Sequence, residues 1–142
     1  MQRMTTEECR SFLLEQVHTA KLATMRQDGR PHVVPIWFDL DGERIVFTTW
    51  HTAVKAANIQ RDPRVCLCVD EETPPFNYVQ IEGRAEISHD SQALKYWATR
   101  IAGRYMGEEL AEKYGERNSV EGELLVRITP TKITGQKDVA GW

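Results

Sequence analysis

Two Asp-Gly pairs, Asp28-Gly29 and Asp41-Gly42, each sit between short runs rich in β-branched and aromatic residues. They constrain the first half of the chain to a meander of antiparallel strands with tight turns. Ala20 to Met25, Pro31 to Leu40 and Arg44 to Thr49 read as its successive strands. Further on, Val65 to Val69 is an almost unbroken apolar run. Asn77 to Ser88 reads as a long strand with Gly83 marking a bulge or bend, Leu124 to Thr129 as a core strand, and Thr131 to Thr134 as one more. Thr5 and Glu8 have the spacing of a capping box and open a helix over about residues 6 to 18. Thr52 to Gln60 reads as a second helix, ended by Arg61-Asp62-Pro63. A third starts at Asp90 or Ser91 and runs through about Arg104, and Glu108 to Tyr114 continues as a further helical piece. The tail from Gly135 to Trp142 is weakly patterned. The expected fold is mainly β with peripheral helices: one domain over 1–142 whose six or seven antiparallel strands form a closed or partly closed barrel. Closure removes the unpaired edges that an open sheet would leave.

A net charge of −3 shows no excess of basic residues, so nucleic-acid and anionic-membrane partners are not expected. No apolar run approaches the roughly 18 residues that span a bilayer, and the first residues lack a signal-peptide apolar core. A cytoplasmic location follows as the expectation. Three cysteines, an odd number, read as reduced thiols. The histidines, at 18, 32, 51 and 89, show neither an HxxxH nor an HExxH arrangement, so no metal site is expected. Glycine-rich phosphate loops and the GxSxG elbow are missing, and no catalytic residue can be assigned.

Chemistry concentrates between residues 30 and 62. A phosphate group needs hydrogen-bond donors and positive potential, and a helix N-terminus supplies both. Thr48 and Thr49 end a strand, Thr52 opens the next helix, Lys55 lies one turn in, and Asn58 follows three residues later on the same face. The competing reading is a simple cap and a solvated lysine. Within His32-Val33-Val34-Pro35-Ile36 the proline removes a ladder donor, which places this strand at an edge or beside a bulge. Its free main-chain groups could meet the polar edge of a flat ring, or it could be an ordinary edge strand. Phe76, Tyr78, Trp37 and Trp50 are candidates to cover such a ring, with Trp37 read rather as core. Arg100 and Arg104, four apart on the late helix, could reach an anionic tail or form a solvated basic helix end.

The string DGRPHVVPIWF, the following FTT, the run K-x-x-N-I-x-R-D-P-R from Lys55 to Arg64, and Val-Gln-Ile-Glu-Gly-Arg-Ala ending at Ala85 occur in order. Together they resemble the pyridoxamine phosphate oxidase-like split-barrel superfamily, over about residues 5 to 135. The resemblance implies a split β-barrel of the FMN-binding type and a homodimer with cofactor sites at the subunit interface. It implies a ring lying against His32, Val33, Val34, Pro35 and Ile36. It also implies a phosphate held by Thr48 or Thr49, Lys55 and Asn58, with Phe76 or Tyr78 close to the ring. The implied activity is hydride transfer between coenzyme F-420 and an unidentified small organic acceptor. FMN is the alternative cofactor, and a non-catalytic flavin- or haem-binding role is the alternative function. Many relatives carry an arginine two residues before the lysine, where this chain has Ala53. A deazaflavin with an acidic tail could instead draw on Arg30, Arg61, Arg100 or Arg104. The extra substrate-binding arginines of the vitamin B6 oxidases are not found here, so that activity is not expected.

Overall fold

The computed structural model describes residues 1–141, so Trp142 of the weakly patterned tail lies outside the described residues. Its strands are β1 (Gln2–Arg3), β2 (Ala20–Met25), β3 (Pro31–Ile36), β4 (Asp39–Asp41), β5 (Arg44–Trp50), β6 (Arg64–Asp70), β7 (Tyr78–Ser88) and β8 (Glu123–Lys137). The helices are α1 (Thr6–Glu15), α2 (Val54–Arg61), α3 (Ser91–Met106) and α4 (Ala111–Arg117), with a short 3-10 turn at Glu108–Leu110. All strand pairs are antiparallel, in the order β3-β2-β6-β7-β8-β5-β4, and β1 joins the C-terminal end of β8. This is the mainly antiparallel split barrel anticipated from the sequence, with seven strands on the path and β1 as an addition. Among the described residues no helix is long and apolar enough to cross a membrane.

The Asp-Gly signals fall where the chain reverses. Gly42 takes the first of the two turn positions between Asp41 and Arg44 with φ +63°, as glycine-first hairpin turns require. The two strands expected near the end of the chain are joined. Leu124 to Thr129 and Thr131 to Thr134 are one strand, because a bulge lets β8 continue. Pairing shifts between Glu82↔Lys132 and Gly83↔Pro130, which leaves Thr131 as the extra residue. Gly83 is needed there, since a Cβ would sit 2.7 Å from the Thr129 carbonyl oxygen.

Leu22, Phe38, Phe47, Leu67, Ile81 and Ile128 fill the barrel interior. A second cluster, Val46 and Leu125 with Leu94 and Ile101 of α3, covers the other face of β5 and β8. Those two strands are therefore buried on both sides, which is why Ile45, Val46 and Phe47 are all inaccessible in succession.

Three sequence expectations are corrected. The run Pro31 to Leu40 is not one strand but two, broken at Trp37-Phe38. Side chains of α3 take the main-chain groups that a ladder would use: Phe38 N–H donates to the Tyr105 hydroxyl (3.2 Å), and Arg104 donates to the Phe38 carbonyl (3.0 Å). Helix α1 stops at Glu15 rather than 18, and Arg104 also donates to the Leu13 carbonyl (2.5 Å), an otherwise unpaired acceptor of its last turn. Helix α2 begins at Val54, with Ala53 rather than Thr52 in the cap position.

Arg104 thus ties α3 to α1 and to the strand break, and it pairs with buried Asp39 at 3.7 Å. Arg104→Met should remove those bonds and leave Asp39, which also accepts from the Leu40 N–H at 2.8 Å, with the exposed Arg100 at 3.6 Å as its remaining ion-pair partner among the described residues. The expected loss is about 3 kcal/mol in urea unfolding, and Arg104→Lys should recover part of it. An unchanged denaturation midpoint in Arg104→Met would show that this network is dispensable.

Candidate functional site

The strand break opens a cleft of about 360 Å³. Among the described residues strand β3 has a single neighbour, β2, so its other edge is free. Strand β4 pairs only with Arg44, Ile45 and Val46, so the later part of β5 also has a free edge. The cleft lies between those edges: Pro35, Ile36 and Trp37 form one wall, and Thr48, Thr49 and Trp50 the other. Ala98 and Ile101 of α3 supply apolar lining, Ala53 and Lys55 bring in the start of α2, and Asn118 and Glu123 complete it. Unpaired main-chain groups and an apolar floor suit a flat molecule with a polar edge.

One end of the cleft has anion-binding character. The cap residue Ala53 makes no side-chain hydrogen bond, so the first N–H groups of α2 have no side-chain acceptor. Lys55 forms no ion pair within 4 Å among the described residues; burial lowers its pKa, partly opposed by Glu123. Thr49 is only 4% exposed, and among the described residues its Oγ1 has no hydrogen-bond partner. A buried hydroxyl left in this state costs free energy unless a ligand uses it. Hydroxyl, ammonium and helix start therefore converge where the sequence placed Thr48, Thr49 and Lys55.

The remaining candidates divide. Pro35 and Ile36 line the cleft. Val33 and Val34 lie further along the same strand, with Val33 60% exposed on the outer face of the sheet. His32 has a buried Nδ1 without a partner among the described residues, and burial together with Arg26 and Lys55 lowers its pKa. Asn58 does not share the cleft with Lys55. Buried on the inner side of α2, it donates to Thr24 Oγ1 (3.0 Å) and accepts from Arg61 (3.0 Å). The i,i+3 spacing alone could not reveal this, because a helix of one exposed and one buried stripe separates residues at the boundary. Phe76, with φ +63°, and Tyr78 are not among the residues lining the cleft in this chain. Trp37 is no core residue. It is 37% exposed at the cleft wall and stacks on Tyr105 at 5.1 Å with an interplanar angle of 4°.

The arginines suggested for an anionic tail are mostly engaged. Arg104 holds main-chain carbonyls, Arg100 faces Asp39 and Tyr96, and Arg30 pairs with Asp28 at 2.8 Å. Arg61 donates to the Met25 carbonyl at 2.6 Å. Cys9, Cys66 and Cys68 are free thiols, and burial raises the pKa of Cys9 and Cys68 away from the reactive thiolate. Among the described residues no three His, Cys, Asp or Glu side chains are grouped to hold a metal ion. Sequence reasoning missed Glu123, Asn118, Ala98 and Ile101. The β5–β8 pairing brings Glu123 to the cleft, the packing of α3 brings Ala98 and Ile101, and Asn118 arrives at the end of α4; no local motif marks them.

The family model described as Pyridoxamine 5'-phosphate oxidase matches residues 5–137. An F420H(2)-dependent biliverdin reductase of Mycobacterium tuberculosis is 31% identical over 102 residues, 70% of this chain and 72% of the relative. The solved structure of a conserved hypothetical protein of Mycobacterium tuberculosis superposes with a TM-score of 0.82 at 26% identity, covering 95% of this chain and 86% of that one. A solved F420 reductase superposes with a TM-score of 0.68 at 31% identity, covering 87% and 94%.

Burial raises the Glu123 pKa above the ordinary 4.5, with Lys55, Arg117 and His51 opposing. A carboxyl favoured in its protonated form by the fold stabilises the protein at low pH, and that stability is lost as pH rises from the unfolded value through the folded one. Glu123→Gln should therefore gain melting temperature relative to the parent as pH rises above about 4.5. Parallel melting curves for the two proteins across that window would contradict the assignment.

Proposed function

The chain belongs to the pyridoxamine 5'-phosphate oxidase family, and from that membership we propose that it is a cytoplasmic oxidoreductase moving a hydride between coenzyme F-420 and a small organic acceptor. The observation that carries the reading is a slot between two free strand edges lined by Lys55, the uncapped start of α2, Thr48 and Thr49, with the buried Thr49 hydroxyl left without a partner among the described residues. That set fits a phosphorylated planar cofactor. Similarity to an F420H(2)-dependent reductase and to an F420 reductase favours a deazaflavin over FMN as that cofactor. The free thiols suit a reducing compartment.

Bound in the cleft, the deazaflavin ring would supply the hydride chemistry. The residues of the chain position it. Thr48, Thr49, Lys55 and the α2 N–H groups would hold the phosphate, and the edge of β3 at His32–Ile36 would meet the polar rim of the ring. Trp37, fixed by Tyr105, would limit where the acceptor lies. Ala98 and Ile101 would give the ring an apolar floor.

The reading includes a homodimer with the cofactor at its interface, Phe76 and Tyr78 reaching the ring from a second copy. It is supported by the outer face of β3, β2 and β6. There Val33 and Pro35 are exposed beside the half-buried Ala23, Met25, Cys66 and Cys68, and cross-strand pairs such as Ala23↔Val33 and Ala23↔Cys66 put them on one face. Lys21, paired with Asp70 at 2.7 Å, lies on the same face between Pro35 and Cys68, and a mainly apolar face of this kind with a polar pair in it suits self-association.

Titration of the purified protein with coenzyme F-420 should give saturable binding. Lys55→Ala should weaken it by about tenfold to a hundredfold, the effect of a charged hydrogen bond. Saturable binding of FMN with none of F-420 would transfer the role to FMN, and indifference to both would refute the assignment. Thr49→Val separates binding from folding. Removing a buried orphan hydroxyl should leave the unliganded protein equally stable or about 1 kcal/mol more stable, while weakening cofactor binding. A destabilised Thr49→Val protein with unchanged binding would place that hydroxyl in the structural framework instead.

A further inference from the structure

We infer that Glu123 sets the charge of the anion this cleft accepts, favouring a singly charged phosphodiester over a doubly charged phosphate monoester. The inference rests on the anion-site reading above and names the feature that chooses between its two cofactors. Of the residues lining the cleft, Lys55 is the one cation and Glu123 the one carboxylate. The start of α2 adds roughly half a positive charge. With Glu123 ionised the cleft is close to neutral, and Ala53 adds no cation. A second negative charge on the phosphate group itself then meets a carboxylate with no further cation inside the cleft to balance it.

The backbone that carries Glu123 is held in place. Glu123 is the first residue of β8, opposite Trp50, and its N–H donates to the Val120 carbonyl at 3.0 Å. Gly122 before it has φ +102° and lies under the Trp50 ring, where a Cβ would be 2.5 Å from Cη2. His51 N–H donates to the Gly122 carbonyl at 2.8 Å, fastening the same turn. The other charged groups stand around the cleft rather than in it: Arg117 of α4 and His51 face Glu123, while Arg26 and His32 face the Lys55 side. They support the site from outside without supplying a second contact cation.

Coenzyme F-420 carries its ribityl phosphate as a diester, with one charge. FMN carries a monoester, fully doubly charged above its second pKa of about 6. The test measures both dissociation constants by fluorescence titration at about pH 8 and low salt, where that second charge is present. Wild-type protein should prefer F-420. Glu123→Gln should lower the ratio Kd(FMN)/Kd(F-420) by about tenfold, the scale of one partly screened charge at contact. Ala53→Arg, which adds a cation at the start of α2, should lower it similarly and serves if Glu123→Gln does not fold. A ratio that moves less than threefold in the folded variants, or a wild-type preference for FMN, overturns the inference while leaving a cofactor site in place. Failure of the wild-type protein to bind either molecule removes the anion-site reading and this inference together.

Discussion

The interruption of the second hairpin strand at Trp37-Phe38 is the constraint on which the rest of the structure depends. Were β3 to run on without a break, its residues would carry the ladder past the point where β5 now stands apart. Instead Arg104 and Tyr105 take the main-chain groups of Phe38, and the Tyr105 hydroxyl continues to the His18 carbonyl at 2.6 Å. The guanidinium of Arg104 lies 4.7 Å over the Phe38 ring while facing Asp39. Buried main-chain groups must find partners, and here the partners are side chains of a distant helix. The cleft is thus a product of helix–sheet packing, and the same packing holds Trp37 rigid at its wall.

Within that cleft the polar groups are arranged at some expense of stability. Lys55 is partly buried without a contact ion pair among the described residues, Glu123 is partly buried opposite it, and Thr49 Oγ1 is sealed without a partner. Each departs from the rule that buried polar groups are satisfied. The core by contrast is conventional: Phe38, Phe47, Leu22 and their neighbours are fully buried apolar residues. Local violations inside an otherwise consistent fold are the pattern expected where binding, rather than stability, fixes the side chains. The family fold hosts the site, while the particular cleft residues decide what it accepts.

Position on a helix proved a weaker guide than position at an edge. Lys55 and Asn58 are three residues apart, yet one opens into the cleft and the other turns inward to Thr24. Arg100 and Arg104 are four apart, yet only the second is locked into the framework. The proline in the β3 segment was more informative. It marked a strand whose outer edge stays unpaired, and β3 does end the sheet order.

The sequence by itself determined the strand-and-turn succession of the first half, the capping box of α1, the bulge at Gly83 and the clustering of Thr48, Thr49 and Lys55. These depend on residues close in the chain, where turn chemistry, side-chain period and backbone freedom act directly. It did not determine the break at Trp37-Phe38, the inward turn of Asn58, the engagement of Arg104 or the arrival of Glu123. Those follow from contacts between residues 34 to 91 positions apart, or across β5 and β8. Only the tertiary structure decides them, because which buried main-chain group captures which distant side chain depends on how helices settle on the sheet, and no local pattern encodes that.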